Sequence, residues 1–458
     1  MNALISTAVF GIVLMFIGLF VKNRQHIKYY AVAGTIIAFI ANWFDAQLVT
    51  NGSVVLHNMI EVSKFSVLFN AVAITATFLY FVLCGSAFEK AGDDVADYFA
   101  LTFFILAGIT LSGSFYNLLM LFLAIEIISI PQYILAGVDK KNLKSNEASL
   151  KYFLMGSFTT GILLMGIALI YGATGTFNIR EMGLGTGDLS PLALCGIILL
   201  GFALAFKVSA APFHFWTPDV YDGSPTVFTA FMATVVKAAG FIAFMRLFHV
   251  SFAGGNLSTH WQLIIAIITA ATLLIGNFTA VFQQSVKRML AYSSIAQAGF
   301  MLFAIVAVNE RSSQGIILYS VAYSVATIGV FAILLKLKDY TFEGYNGLAQ
   351  KHPVLALVNT IFLLSLAGIP LTAGFFAKYF VLSAAVQQGQ LLWLVILAVL
   401  CAAVSAYYYF RVIIAMYFKA GDAETSEPIT IGFKAVLVVG AGIIILLGIF
   451  PNLLLQFL

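Results

Sequence analysis

Five charged side chains stand inside long apolar stretches of this chain: Glu126, Lys151, Lys207, Lys237 and Lys378. The stretches around them are long enough to cross a lipid bilayer. A charge at the centre of a membrane helix costs about 2.5–3.5 kcal/mol on insertion scales, so such residues are rarely kept for stability. Their default interpretation is a path for ions or protons.

The amino-acid composition is that of a membrane protein rather than a soluble one. Of the 458 residues, 62% are hydrophobic and 9% are charged, whereas soluble domains carry roughly 25% charged residues. The polar side chains are too few to cover a water-facing surface. The three cysteines lie far apart and the six histidines show no ligand spacing, so we predict no metal, cluster or nucleotide bound by this chain.

Fourteen apolar runs predict fourteen transmembrane helices, because a helix needs about 20 mostly apolar residues to cross a bilayer. Helices satisfy the backbone internally where no water is available. The predicted fold class is therefore an all-α polytopic membrane protein. The fourth span is short, and the twelfth is long enough to be interrupted. The spans are predicted at residues 3–21, 28–45, 64–84, 98–113, 115–137, 148–172, 192–212, 224–250, 260–281, 289–308, 314–335, 354–386, 391–418 and 432–457.

Basic residues in the loops predict which face of the membrane each loop occupies, since cytoplasmic loops are rich in lysine and arginine. One alternating set holds fifteen basic residues, and the other holds Lys64, Arg180, Arg246 and Arg311. We therefore expect both termini outside the cytoplasm, on the periplasmic face of the inner membrane in a Gram-negative cell. The fifteen are Lys22, Arg24, Lys28, Lys90, Lys140, Lys141, Lys144, Lys287, Arg288, Lys336, Lys338, Lys351, Arg411, Lys419 and Lys434.

Two predicted spans carry a proline close to a lysine: Pro212 follows Lys207, and Pro370 precedes Lys378. Proline breaks a helix, and broken helices at membrane depth are tolerated where they line a cavity. The interrupted spans, seven and twelve, are five spans apart, which predicts two inverted five-helix repeats. The predicted division is a three-helix segment and loop at 1–97, repeats at 98–250 and 251–419, and a C-terminal loop and span at 420–458.

Each intramembrane charge also has a purely structural interpretation. Glu126 could form a static ion pair, for which Lys207 is the obvious partner, and Lys207 could instead snorkel to the interface. Lys237 stands thirteen residues from either end of its span, about 20 Å of helix on each side. This is too far to snorkel comfortably, so its structural alternative is a static pair. Lys151 is three residues into its span, where interfacial anchoring explains it almost as well as function does. Tyr292, Tyr319 and Tyr323 could hydrogen-bond inside the bundle or hold water, although such tyrosines more often simply pack.

Three motifs resemble those of the antiporter-like membrane subunits of respiratory complex I. They are KVSAAPFHFWTPDVY at 207–221 with GSPT at 223–226, VKRMLAYSSIAQ at 286–297, and GIPLTAGFFAK at 368–378. The resemblance covers essentially the whole chain. It is greatest to the N group of bacterial NADH–quinone oxidoreductase subunits. The M group typically carries glutamate where this chain has Lys378, and the L group adds a C-terminal lateral helix for which this chain has no room.

The resemblance implies a proton-translocating subunit of a redox-driven enzyme. It makes Glu126 and Lys207 the family's glutamate–lysine pair, Lys237 the central relay and Lys378 the exit-side residue. Lys151 matches a further family lysine near the pair. Related subunits often have histidine at position 297, so Gln297 is not counted as a relay.

The resemblance also implies where the redox chemistry occurs. NAD(H), FMN, iron–sulfur clusters and quinone are expected in other subunits of the complex, with none bound by this chain. The expected partners are the other membrane and peripheral subunits, including sister antiporter-like subunits, and the lipid bilayer, but no nucleic acid. The alternatives are a subunit of a cation/proton antiporter or of a membrane-bound hydrogenase, a stand-alone solute transporter, and a structural scaffold whose charges only join helices.

Overall fold

The computed structural model describes residues 1–21, 23–49, 53–182, 190–253 and 257–458; Lys22 lies outside them. Within these ranges the chain is helical apart from one short hairpin, β1 (Ser53–Val55) and β2 (Ile60–Val62), and one helix contains a π-turn at Met232–Val236. The α-helices are α1 (Asn2–Phe20), α2 (Arg24–Leu48), α3 (Lys64–Cys84), α4 (Phe88–Ala91), α5 (Val95–Ser114), α6 (Leu118–Ala136), α7 (Leu143–Thr174), α8 (Pro191–Lys207), α9 (Trp216–Gly223), α10 (Thr226–Phe231), α11 (Lys237–Ser251), α12 (Leu257–Val281), α13 (Val286–Val306), α14 (Glu310–Leu334), α15 (Leu348–Lys351), α16 (Pro353–Ala367), α17 (Ala373–Gln387), α18 (Leu392–Phe418), α19 (Ile431–Ile449) and α20 (Asn452–Leu455).

The all-α polytopic class predicted from the sequence is confirmed. Among the described residues, 12 helical stretches are long and apolar enough to cross a membrane. They correspond to all the predicted spans except seven and twelve. In those two places the helix is interrupted, as the prolines predicted: α8 ends at Lys207, and α16 ends at Ala367 before α17 begins at Ala373.

Both interrupted helices end in the same hydrogen-bond pattern. At the end of α8, the N–H of Ala210 bonds Ala205 O at 2.8 Å and the N–H of Ser209 bonds Phe206 O at 3.0 Å. This pair of bonds is a Schellman motif, which requires one residue in the left-handed conformation, and Ser209 has φ 64°.

The end of α16 repeats the motif. The N–H of Ile369 bonds Leu364 O and the N–H of Gly368 bonds Ser365 O, both at 3.0 Å. The left-handed residue here is Gly368, with φ 86°. The motif pairs the carbonyls of Leu364 and Ser365. The last two carbonyls of α16, those of Leu366 and Ala367, accept no backbone N–H in the described residues.

The hairpin carries a buried ion pair that joins distant parts of the chain. Glu61 on β2 and Arg246 on α11 are 6% and 7% exposed, with their oxygen and nitrogen atoms 2.8 Å apart. Arg246 also donates to Phe115 O at 2.7 Å, and the exposed Arg180 reaches Glu61 at 2.6 Å. The sequence analysis counted Arg246 with the basic residues of one set of loops and did not consider Glu61, whereas both lie inside the packed structure.

Residues 421–428, here called the acidic clasp, are held against the loop that follows α14. The N–H of Lys338 donates to Glu424 O at 3.0 Å and the N–H of Ser426 donates to Lys336 O at 2.8 Å. The clasp acids are each paired with lysine. These ion pairs are Asp422–Lys351, Glu424–Lys338, Glu427–Lys336 and Glu427–Lys90.

We expect the acidic clasp to loosen when the pH is lowered. The hydrogen bonds from Lys336 and Lys90 hold the pKa of Glu427 below its usual value. A carboxyl group with a lowered folded-state pKa stabilises the fold above its unfolded pKa, and this stability is lost as the pH falls through the folded-state pKa. The protection of the 421–427 amides against hydrogen exchange, relative to the intrinsic rate at each pH, should therefore fall below about pH 4.3. In the Glu427→Gln variant the same amides should exchange quickly already at neutral pH. Exchange as slow as in the unsubstituted protein would contradict this role of Glu427.

Candidate functional site

Lys237, the first residue of α11, is 2% exposed. Its Nζ donates to the carbonyl oxygen and to the hydroxyl of Ser294 on α13, at 3.0 Å each, and lies 5.7 Å from the ring centre of Tyr221. The π-turn Met232–Val236 ends immediately before Lys237. Such turns are rare and are frequent at functional sites. Nothing in the sequence indicated this one.

Lys378 caps the broken end of α16. Its Nζ donates to Ala367 O at 2.8 Å and to Leu366 O at 3.1 Å, two of the carbonyls that the Schellman motif leaves unpaired. The residue is 7% exposed and its Nζ lies 4.4 Å from the ring centre of Phe300. The break predicted from Pro370 thus supplies the oxygen atoms that hold this lysine.

Helix α13 connects these two lysines. Ser294 binds Lys237, and Gln297, one turn later, donates from Nε2 to the same Leu366 carbonyl that Lys378 binds, at 2.8 Å. Gln297 also donates to the Tyr409 hydroxyl at 3.0 Å. Because the surroundings of both lysines include side chains of α13, a shift of this helix would change the hydrogen bonds around both lysines.

Lys207 and Glu126 do not form the direct ion pair that the sequence suggested. The half-buried Lys207 donates to the Ser129 hydroxyl at 2.8 Å and to the Tyr133 hydroxyl at 3.5 Å, and Glu126 accepts from the Thr160 hydroxyl at 2.7 Å. Ser129 stands three residues after Glu126 on α6, so Lys207 binds one turn away from the carboxylate. The two side chains therefore bind different hydroxyl groups rather than each other.

Buried polar atoms without hydrogen-bond partners cluster around the break after α8. Within the described residues they include Ser209 Oγ, His214 Nδ1, Thr217 Oγ1 and Ser224 Oγ. Buried polar groups are nearly always paired, so unpaired ones indicate ordered water or a functional role. Gly240, one turn beyond Lys237, allows α11 to approach this break, since a Cβ there would lie 3.0 Å from the Val208 side chain.

The comparisons with known proteins agree with the motifs. Residues 116–405 match the family model described as NADH:quinone oxidoreductase/Mrp antiporter, TM. The chain belongs to this family. The resemblance predicted from the motifs is therefore confirmed. The NADH-quinone oxidoreductase subunit N of Cytophaga hutchinsonii is 40% identical to this family member over 464 residues, which cover 100% of this chain and 99% of the relative.

Solved structures in the family share the whole fold. A chain of respiratory complex I from Thermus thermophilus with bound aureothin matches with a TM-score of 0.84 and 32% identity, over 99% of this chain and 98% of that chain. A chain of the Mrp complex from Dietzia sp. DQ12-45-1b matches with a TM-score of 0.85 and 21% identity, over 100% of this chain and 96% of that chain. At 21% identity, the match to the Mrp chain shows only a shared fold. The higher identity of 32% to the complex I chain favours the complex I relatives.

In this family member, Lys151 lies apart from the other four intramembrane charges. Lys151 is paired with Glu147 at 2.7 Å and with Asp219 at 2.8 Å, and its side chain is 38% exposed. Asp219 also pairs with Arg288 at 3.4 Å, and these four residues line a polar cavity of about 200 Å³. The geometry fits the anchoring interpretation of Lys151 and does not bring it to Lys207.

Proposed function

We propose that this chain is the proton-translocating membrane subunit of a NADH–quinone oxidoreductase. Protons pass from Lys207, beside Glu126, to Lys237 and then to Lys378, while NADH oxidation and quinone reduction occur in other subunits. One observation carries the proposal: in the described residues none of the three lysines has a carboxylate within 4.0 Å. Each binds neutral hydroxyl or carbonyl oxygens only.

This bonding pattern argues against a structural scaffold. A lysine that only joins helices would be held by a carboxylate, because an uncompensated buried charge is costly. A lysine held by neutral oxygens gains much less from being charged, so it can give up its proton and later regain it. Carbonyl and hydroxyl oxygens also accept hydrogen bonds from the charged lysine without trapping it in one state.

Glu126 supplies the switch at the start of the path. At an effective dielectric constant of 20, a unit charge at 4 Å is worth about 4 kcal/mol. Closing the gap between Glu126 and Lys207 to a contact would therefore strongly favour protonated Lys207, and reopening it would release the proton toward Lys237. The hydroxyl of Ser129 now occupies the position beside Lys207 Nζ, so the two arrangements differ by a small side-chain movement.

The finer topology is part of the same proposal. We propose fourteen spans, with α8–α9 and α16–α17 as the interrupted seventh and twelfth, inverted repeats at 98–250 and 251–419, and termini outside the cytoplasm. The shared Schellman motifs at Ser209 and Gly368 favour the repeats. Lys207 precedes its break and Lys378 follows its own, so the repeats would place their lysines on opposite sides of equivalent breaks.

Glu126→Gln is expected to lower coupled turnover at least tenfold, because the amide keeps the Thr160 hydrogen bond but cannot attract the Lys207 charge. The measurement is NADH-driven acidification in vesicles containing the purified complex. Glu310→Gln is the matched control, since Glu310 is exposed at the start of α14. A Glu126→Gln complex that pumps normally would contradict the switch. A purified complex whose companion chains lack flavin and iron–sulfur clusters would contradict the redox assignment.

A further inference from the structure

Tyr323 is a buried tyrosine on α14 whose hydroxyl makes no hydrogen bond within the described part of the chain. The residue is 3% exposed. Its hydroxyl is a near neighbour of the Ser294 and Thr327 hydroxyls but makes a well-formed hydrogen bond to neither. Leaving a buried hydroxyl unpaired destabilises a fold. A phenylalanine would fill the same space without this cost, so the oxygen atom itself needs an explanation.

Tyr323 adjoins the surroundings of both lysines that contact groups on α13. On one side is Ser294, which accepts from Lys237 at 3.0 Å. On the other side Tyr323 lines a cavity of about 10 Å³ together with Lys378, Gln297 and Tyr319. This volume is about that needed by one water molecule. Lys378 uses two of its three N–H groups on the α16 carbonyls, which leaves a third donor.

Gln297 does not offer an alternative route across the same gap. Its Nε2 donates to Leu366 O and to the Tyr409 hydroxyl, and its Oε1 accepts from Tyr319. The amide is thus fully engaged in positioning its neighbours. A carboxamide is neither acidic nor basic enough to exchange protons readily, whereas a hydroxyl both accepts and donates one.

We propose that the Tyr323 hydroxyl and one water molecule in this cavity form the proton-transfer link between Lys237 and Lys378. The link rests on the proposed function, in which both lysines carry the proton. The Lys237 ammonium gives a proton to Ser294 Oγ while the Ser294 hydroxyl hydrogen passes to Tyr323. Tyr323 gives its hydrogen to the water, and the water gives one to the neutral amine of Lys378.

Atoms and charge balance across this sequence. Ser294, Tyr323 and the water each end with the number of hydrogens they began with, Lys237 becomes a neutral amine, and Lys378 becomes an ammonium group. In the structure the Ser294 hydroxyl donates to Ala291 O at 2.7 Å, so it must first turn toward Tyr323. This rotation is the step at which the link opens or closes.

The test uses two substitutions in the intact complex. Tyr323→Phe removes only the unpaired oxygen, and Ala322→Val fills the cavity that Ala322 lines while keeping the hydroxyl. Each is expected to lower NADH-driven proton translocation at least tenfold in vesicles, with normal assembly and normal electron transfer from NADH to a soluble acceptor. Tyr345→Phe is the matched control, because Tyr345 is also fully buried with an unpaired hydroxyl but lies outside this cavity.

The outcomes separate the link from the proposed function. Normal pumping by Tyr323→Phe and Ala322→Val, alongside loss of pumping in Lys237→Met, would overturn the link and leave the lysine path intact. Normal pumping by all three would overturn the proposed function as well. A Tyr323→Phe complex that fails to assemble, while Ala322→Val pumps normally, would show a structural role for Tyr323 and overturn the link.

Discussion

Replacing Lys237 by methionine is expected to abolish proton translocation through this chain while the complex still assembles. Methionine has a similar length and no charge, so it removes the proton carrier but fills the same space. Its removal should not destabilise the helices, since Lys237 has no carboxylate partner in the described residues and replacing buried charge by an apolar side chain is often neutral. Ser294 keeps a partner because its hydroxyl donates to Ala291 O.

The measurement is a comparison of NADH-driven acidification and quinone reduction in vesicles containing the purified complex. Lys419→Met is the control, since Lys419 is exposed after α18 and has no described ion pair. A drop of at least a hundredfold in translocation corresponds to about 2.7 kcal/mol on the rate-limiting barrier. Unchanged pumping would remove Lys237 from the path. Loss of assembly without a specific pumping defect would favour the scaffold interpretation instead.

The spans could be predicted because lipid imposes a simple requirement on them. Twenty apolar residues in a row have few alternatives to a membrane helix, and proline removes a backbone donor wherever it stands. The breaks after Lys207 and Ala367 followed from these two facts. The left-handed residue at the first break is Ser209. A serine in a sequence does not indicate this conformation, whereas a glycine such as Gly368 does.

The contacts of the site could not be predicted in the same way. Which oxygen atom meets Lys237 depends on the rotation of α11 against α13, and the π-turn at Met232–Val236 alters that rotation without a sequence signal. The sequence predicted a pair of Glu126 and Lys207 because opposite charges attract, but Lys207 donates to the Ser129 hydroxyl instead. The sequence could not distinguish Tyr323 from Tyr292 or Tyr319, because one hydroxyl among many tyrosines carries no pattern.

Glu61→Gln is expected to produce the largest loss of stability in this chain, about 3–5 kcal/mol. The amide keeps the size of Glu61 but leaves the Arg246 guanidinium, which is 7% exposed, without its counter-charge. Arginine does not lose its proton in proteins, so the buried charge would stay unpaired. Arg246 stands nine residues after Lys237 on α11, and the loss should therefore also loosen the helix that carries the central lysine.

A double-mutant cycle distinguishes this ion pair from simple packing. In the purified complex, Glu61→Gln should lower the thermal midpoint for release of this chain. Adding Arg246→Met should restore much of that midpoint, because the second change removes the unpaired charge. Arg180→Met is the matched control: Arg180 pairs with the same carboxylate but its side chain is 55% exposed, so its loss should cost under about 1 kcal/mol. Equal effects of Arg180→Met and Glu61→Gln, or no rescue by Arg246→Met, would show that the carboxylate does not serve mainly to neutralise Arg246.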